Sequence, residues 1–192
     1  GVLVVTLKAL LEGDPVDLAL LSRLFSDGDI RVIHDADEDA FYLIAPEIKE
    51  ESAPSFGKAA PGVLDRVNGL ARVHDPTYRP VRLSGRYTGP RGNHSYVTAV
   101  NIEMRLSLSA TAVAVGSDGE PLPEPPSPRP RWLALADADP EVAEALRIMS
   151  RKEPLGWVDL YKVYEIVRHA TGAHKIAGLG WLTRSQEAAF VA

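Results

Sequence analysis

Six prolines (Pro121, Pro123, Pro125, Pro126, Pro128 and Pro130) fall within Pro121–Arg131, and no stretch limits the fold more. Each proline locks φ and lacks an N–H donor, so the segment is neither helix interior nor central strand. It reads as extended polyproline II. PxxP spacing at Pro123/Pro126 and Pro125/Pro128 would also suit an SH3-type ligand; the stiff spacer is the reading adopted. Apolar residues before it repeat with period 2 and after it with period 3.6, which divides the chain. The expectation is an α+β domain over residues 1–120, a Pro-rich linker over 121–131 and a helical domain over 132–192. In fold class this is α+β: an antiparallel sheet with two helices, then a helical bundle.

In the first part, Val2–Leu10 reads as a strand. Asp14-Pro15 supplies an N-cap and a first-turn proline for a helix with Leu18, Leu21 and Phe25 on its apolar face. Strands are expected at Ile30–His34 and Ala40–Ala45, around the acidic turn Asp35–Asp39. Asp35, Asp37 and Asp39 alternate as at the start of an EF-hand loop. Ala40 stands where that loop needs glycine and Pro46 where it needs a bidentate glutamate, so a solvated hairpin turn is expected. Pro61–His74 reads as a helix burying Val63, Leu64, Val67, Leu70 and Ala71, and stopped by Asp75-Pro76. Val81–Tyr87 reads as a strand, and Thr88–Ser95, with Arg91 and His94, as a hairpin turn without a phosphate-loop pattern. Asn101–Ala110 alternates most cleanly of all, and a further strand is expected at Val113–Val115.

In the second part, Asp139-Pro140 repeats the capping device, and Val142, Ala145, Leu146 and Met149 line one helical face. Gly156–Thr171 (GWVDLYKVYEIVRHAT) is apolar around most of its circumference, and such a helix is normally wrapped by neighbours. Arg168 falls inside the apolar sector, where a charge must find a partner or reach water. A last helix starts at Thr183 with Gln186 as its capping-box mate and is still running at Phe190-Val191-Ala192.

Composition excludes more than it assigns. A net charge of −5 offers no global attraction to nucleic acid or an anionic membrane, so RNA would need a local patch. The chain has no cysteine, which removes disulfides, thiolate metal sites and a cysteine nucleophile and fits the reducing cytoplasm. No apolar run reaches the ~18 residues of a membrane helix, and the opening GVLVVTLKALLEG lacks the marks of a signal peptide. The five histidines (His34, His74, His94, His169, His174) form neither HxxxH nor HExxH, so no metal site and no cofactor are expected. One constellation could carry a reaction: Arg168 and His174 near a helix end. The histidine would move a 2′-hydroxyl or leaving-group proton and the guanidinium would stabilise phosphate charge. Glu165, one turn before Arg168, would orient them, or simply form a local ion pair.

The run Trp157–Val167, with Gly180-Trp181-Leu182-Thr183 and Phe190, resembles the C-terminal helical part of a group of uncharacterised bacterial proteins that look HEPN-like. Leu64–Gly69 and Arg79-Pro80-Val81 are similar to their α+β N-terminal part. Active members of that superfamily are metal-independent ribonucleases in defence and toxin systems, and their helical units commonly pair. The resemblance implies a ribonuclease acting in RNA metabolism or phage defence, with Arg168, His174 and Glu165 as its catalytic residues. The alternative is a non-catalytic module whose helical part forms a homodimer and whose sheet recognises a partner. In that group a polar Asn/His and Arg-His stretch follows the position matching Phe190, so the helical domain is expected to continue past Ala192.

Overall fold

Along Thr6–Glu12 (β1), buried Leu7, Ala9 and Leu11 alternate with half-exposed Lys8 and Leu10. A strand with one face on a core requires this pattern. The computed structural model of the chain describes residues 6–49, 55–90, 92–95, 129–172 and 176–191. The expected strands Asn101–Ala110 and Val113–Val115 lie outside them, as do residues 1–5 and the linker residues 121–128. The chain divides into two units, Gly1–Leu64 with Val81–Arg131, and Asp65–Pro80 with Trp132–Ala192.

Among the described residues the first unit holds an antiparallel five-stranded sheet in the order β2-β3-β1-β4-β5. Its strands are β1, Arg31–Asp35 (β2), Ala40–Lys49 (β3), Arg82–Gly89 (β4) and Gly92–Ser95 (β5). Pro15–Leu24 (α1) begins as expected, with the Asp14 carboxylate accepting from the Val16 N–H at 3.0 Å. It packs on β2 and buries Leu18, Leu21 and Leu24. The acidic turn is a hairpin between β2 and β3. Asp35 accepts from the Asp37 and Glu38 N–H groups at 3.1 and 3.3 Å, and Asp39 takes a left-handed φ of 47°. Glycines 89 and 92 face each other across the β4–β5 hairpin, with His94 opposite Tyr87 on β5. Against expectation, β3 runs on from Ala45 through Pro46 to Lys49. Its residues there outnumber those of β1, and in such a bulge a proline takes no ladder bond away.

Ser55–His74 (α2) supplies residues 55–64 to the first unit and 65–74 to the second. It begins earlier than the Pro61 start read from sequence. Pro61 sits inside the helix at an exposed position, costing one backbone bond without ending it. The predicted face (Val63, Leu64, Val67, Leu70, Ala71) is buried.

The remaining helices are Arg129–Ala138 (α3), of which residues 132–138 fall in the second unit, and, wholly within that unit, Pro140–Met149 (α4), Trp157–Ala170 (α5), a 3-10 turn at Ile176–Leu179 and Arg184–Val191 (α6). Helix α3 is a correction, since its first residues fall in the stretch read as extended linker. Over residues 131–138, whose burial is described, Leu133 and Ala136 alone are buried, a pattern too sparse to announce a helix. Asp139 caps α4 as expected, accepting from the Glu141 and Val142 N–H groups at 2.8 and 3.4 Å. The deepest α4 residue is Ile148, off the predicted face. Within this unit residues 65–74 of α2 meet α4 closely. A β-carbon on Gly69 would lie 2.4 Å from the Leu146 carbonyl oxygen, and Arg72 donates to the Met149 and Arg151 carbonyls at 3.0 and 2.7 Å. Arg72 thereby satisfies acceptors left open at the end of α4.

Candidate functional site

The site to be tested is α5 and the turn and helix that follow it. Its start is held by Asp159, whose carboxylate accepts from the Gly156 N–H at 3.3 Å and pairs with Arg151. An acid in the first turn also complements the partial positive charge of a helix N-terminus. The helix packs on α4. A wrapped helix was expected, and α5 differs. Tyr164 is its single buried residue, Trp157 is 54% and Val158 68% exposed, and Leu160, Tyr161, Val163, Ile166 and Val167 are half-buried. Apolar pattern alone cannot show how many neighbours arrive to cover it.

Arg168 finds two partners within its own helix. One N–H donates to Glu165 at 3.2 Å, and the guanidinium carbon lies 5.9 Å from the centre of the Tyr164 ring. Both charged side chains stay accessible, at 40% for Arg168 and 46% for Glu165. Basic residues in the last turn of α5 are favoured by the partial negative charge there. His169 turns the other way, its Nδ1 lying 2.9 Å from Glu141 on α4. The structure therefore brings Glu165 and Arg168 together and sends the adjacent histidine elsewhere; His174 lies outside the described residues. An arginine with one exposed carboxylate partner can bind an anion, but moves no proton by itself.

The most constrained group nearby was not singled out from sequence. Glu187, in the first turn of α6, is 5% exposed. It accepts from the Tyr164 hydroxyl at 2.8 Å and from the Ile176 and Ala177 N–H groups at 2.7 and 3.3 Å. One carboxylate so joins α5, the 3-10 turn and α6, each bond satisfying a donor. Its acceptance raises the Tyr164 hydroxyl above the ordinary phenol range, with burial adding to the effect. The available signal was faint: an acid three and four positions before Phe190 and Val191, on the apolar side of a short helix. Thr183 starts α6 as read, its hydroxyl accepting from the Gln186 N–H at 3.2 Å while Gln186 accepts from the Thr183 N–H at 2.8 Å.

Among the described residues no group of three or more histidine or acidic side chains is placed to hold a metal ion, and no helix is long and apolar enough to cross a membrane. Asp35, Asp37 and Asp39 stay an exposed turn, with the His34 ring 3.0 Å from Asp39. Compared with protein-family models, with curated proteins and with solved structures, the chain matches none.

Proposed function

We propose that the helical unit is a HEPN-like interaction module that pairs with a second copy of this chain through α5 and the segment after it. One observation carries this reading: the unit leaves Trp157, Val158, Leu179 and Trp181 between 41% and 68% exposed. Tryptophan is over-represented at the centres of protein interfaces, where its large apolar surface is removed from water. The charge inside the apolar sector does not oppose such pairing, because Arg168 is already matched by Glu165 within the helix. Sedimentation analysis of the full chain tests it. A dimer at micromolar concentration is expected, and Trp181→Asp or Val158→Asp should give a monomer with unchanged circular dichroism. A parent that stays monomeric throughout, or variants that still dimerise, would overturn the reading.

A second reading, a metal-independent ribonuclease in RNA metabolism or phage defence, is favoured by the accessibility of Arg168, whose contact with Glu165 leaves N–H donors for a phosphate. On that reading Arg168 stabilises phosphate charge, His174 moves the proton and Glu165 orients them. Cleavage of labelled tRNA and mixed cellular RNA in EDTA decides it. Activity lost in both Arg168→Ala and His174→Ala, with melting unchanged, supports the enzyme; no cleavage by the parent removes it.

A further inference from the structure

The bulge that carries β3 through Pro46 does more than bend an edge. Thr6 on β1 pairs with Lys49 and Lys8 with Ile44, so a two-residue step on β1 is matched by five residues on β3. Pro46 and Glu47 are pushed into solvent while Ile48 returns fully to the core. The mismatch opens a cleft of about 350 Å³ in the first unit, with Thr6, Lys8, Asp29, Arg31, Ile44 and Pro46 in its lining. Bulges of this kind frequently re-aim side chains at functional sites.

Register places two cations there. Ile44 is the cross-strand partner of Lys8 on one side and of Arg31 on the other. Directly paired residues of neighbouring strands share a face, so both cations rise from one side of the sheet with Ile44 between them. Two strand spacings, about 10 Å, separate their backbones, a gap that long side chains close over a ligand. Neither cation makes an ion pair among the described residues: the Lys8 ammonium lies 5.7 Å from the centre of the Tyr42 ring, and Arg31 gives one N–H to the Gly28 carbonyl at 3.1 Å. Arg82 on β4 shows the contrast, since it is clamped by Glu12 at 2.9 and 3.0 Å.

We propose that this cleft binds the phosphate of a small hydroxylated phosphate ester. Two like charges lining one half-buried cleft repel, and a dianion bound between them reverses that sign. The guanidinium takes two oxygens as a fork and the ammonium takes another as a point charge. A tetrahedral phosphate offers oxygens to both walls at once, whereas a planar carboxylate presents both of its oxygens in one direction. The Thr6 hydroxyl adds a donor, Asp29 at the rim accepts from a hydroxyl of the ester, and Ile44 and Pro46 give an apolar floor. The volume, at the low end of the usual ~300–1,000 Å³ of ligand clefts, is ample for a phosphate on a short stem.

The test is an amide NMR titration of the full chain with inorganic phosphate and with glycerol phosphate at constant ionic strength, sodium acetate serving as the carboxylate arm. The expected result is saturable shifts at the Arg31 and Ile44 amides with both phosphate probes, tighter for the ester. Lys8→Met and Arg31→Gln should each weaken the binding at least tenfold, with melting unchanged without ligand, while Arg23→Gln on the exposed side of α1 leaves it intact. Saturation by acetate but not by phosphate, non-saturable drift, or equal binding by the Lys8→Met/Arg31→Gln double variant would overturn the proposal.

Discussion

The Tyr164 hydroxyl donates at 2.8 Å to the buried carboxylate of Glu187, 23 positions further along the chain, and the Ile176 N–H meets the same oxygen at 2.7 Å. Replacing Glu187 by alanine would strand these donors away from water, where an unsatisfied polar group costs about 1–3 kcal/mol. The expected outcome for Glu187→Ala is a lowered urea midpoint with faster hydrogen exchange at the Ile176 amide. Glu187→Gln, which keeps an acceptor, should fall between parent and alanine. An unchanged midpoint in Glu187→Ala would show that the carboxylate does not hold α5, the turn and α6 together.

Gly69 sets helix propensity against packing. Alanine in a helix interior is normally better than glycine by about 1 kcal/mol. Here its β-carbon would lie 2.4 Å from the Leu146 carbonyl oxygen, which is backbone and cannot swing away. Overpacking of this kind costs about 1–3 kcal/mol, so Gly69→Ala should destabilise in chemical denaturation. A variant more stable than the parent would mean that α2 and α4 are not held this close.

Tyr42 should titrate later than an ordinary tyrosine. The Glu38 carboxylate accepts its hydroxyl proton and, with burial, raises its pKa from the ordinary 10 to about 12. The folded state keeps a proton that the unfolded chain gives up. The linked stability is therefore fully present below pH 10 and is lost as pH rises through about 12. Ultraviolet absorbance of tyrosinate should show a late phase that shrinks in Glu38→Gln, where Tyr42 ionises at lower pH while Tyr164, raised by Glu187, still ionises late. Titration of Tyr42 near 10 in the parent would contradict the contact.

Asp65 predicts a dependence of opposite consequence at neutral pH. Burial pushes its carboxyl above the ordinary carboxylate range, against the lowering effect of the Ser150 hydroxyl that donates to it at 3.1 Å. A raised acid binds protons more tightly when folded, so its contribution is greatest in acid and declines as pH rises through the folded value. Asp65→Asn keeps the acceptor and removes the charge. It should melt at or above the parent at neutral pH, with the difference shrinking in acid; a neutral-pH loss that disappears in acid would reverse the sign and sink the account.

How far these features could be read beforehand depended on the reach of the interaction. Asp14, Asp139 and Thr183 were legible as caps, because a cap joins a side chain to backbone two or three residues away. The buried face of α2 was legible too, since helical periodicity records it locally. Helix α3 was missed because, over residues 131–138, Leu133 and Ala136 alone reach a core. The length of β3 was missed because Pro46 breaks the strand signal, and what carries the chain past it is pairing with β1. For the candidate site, the Glu165–Arg168 contact followed from one-turn spacing on a helix, while the role of Glu187 rests on donors 23 and 11 positions away.

The order of residues alone settled where α1, α4 and α6 start, which faces of α1 and α2 are apolar, and that the chain is α+β, because all of these depend on backbone geometry and near neighbours. Tertiary packing decided which groups end up without water: the half-covered α5, the carboxylate of Glu187, the approach of Gly69 to Leu146, and the two cations around Ile44. Each depends on which distant segment arrives to exclude solvent or to shift a strand's register, and no local pattern encodes the identity of that segment.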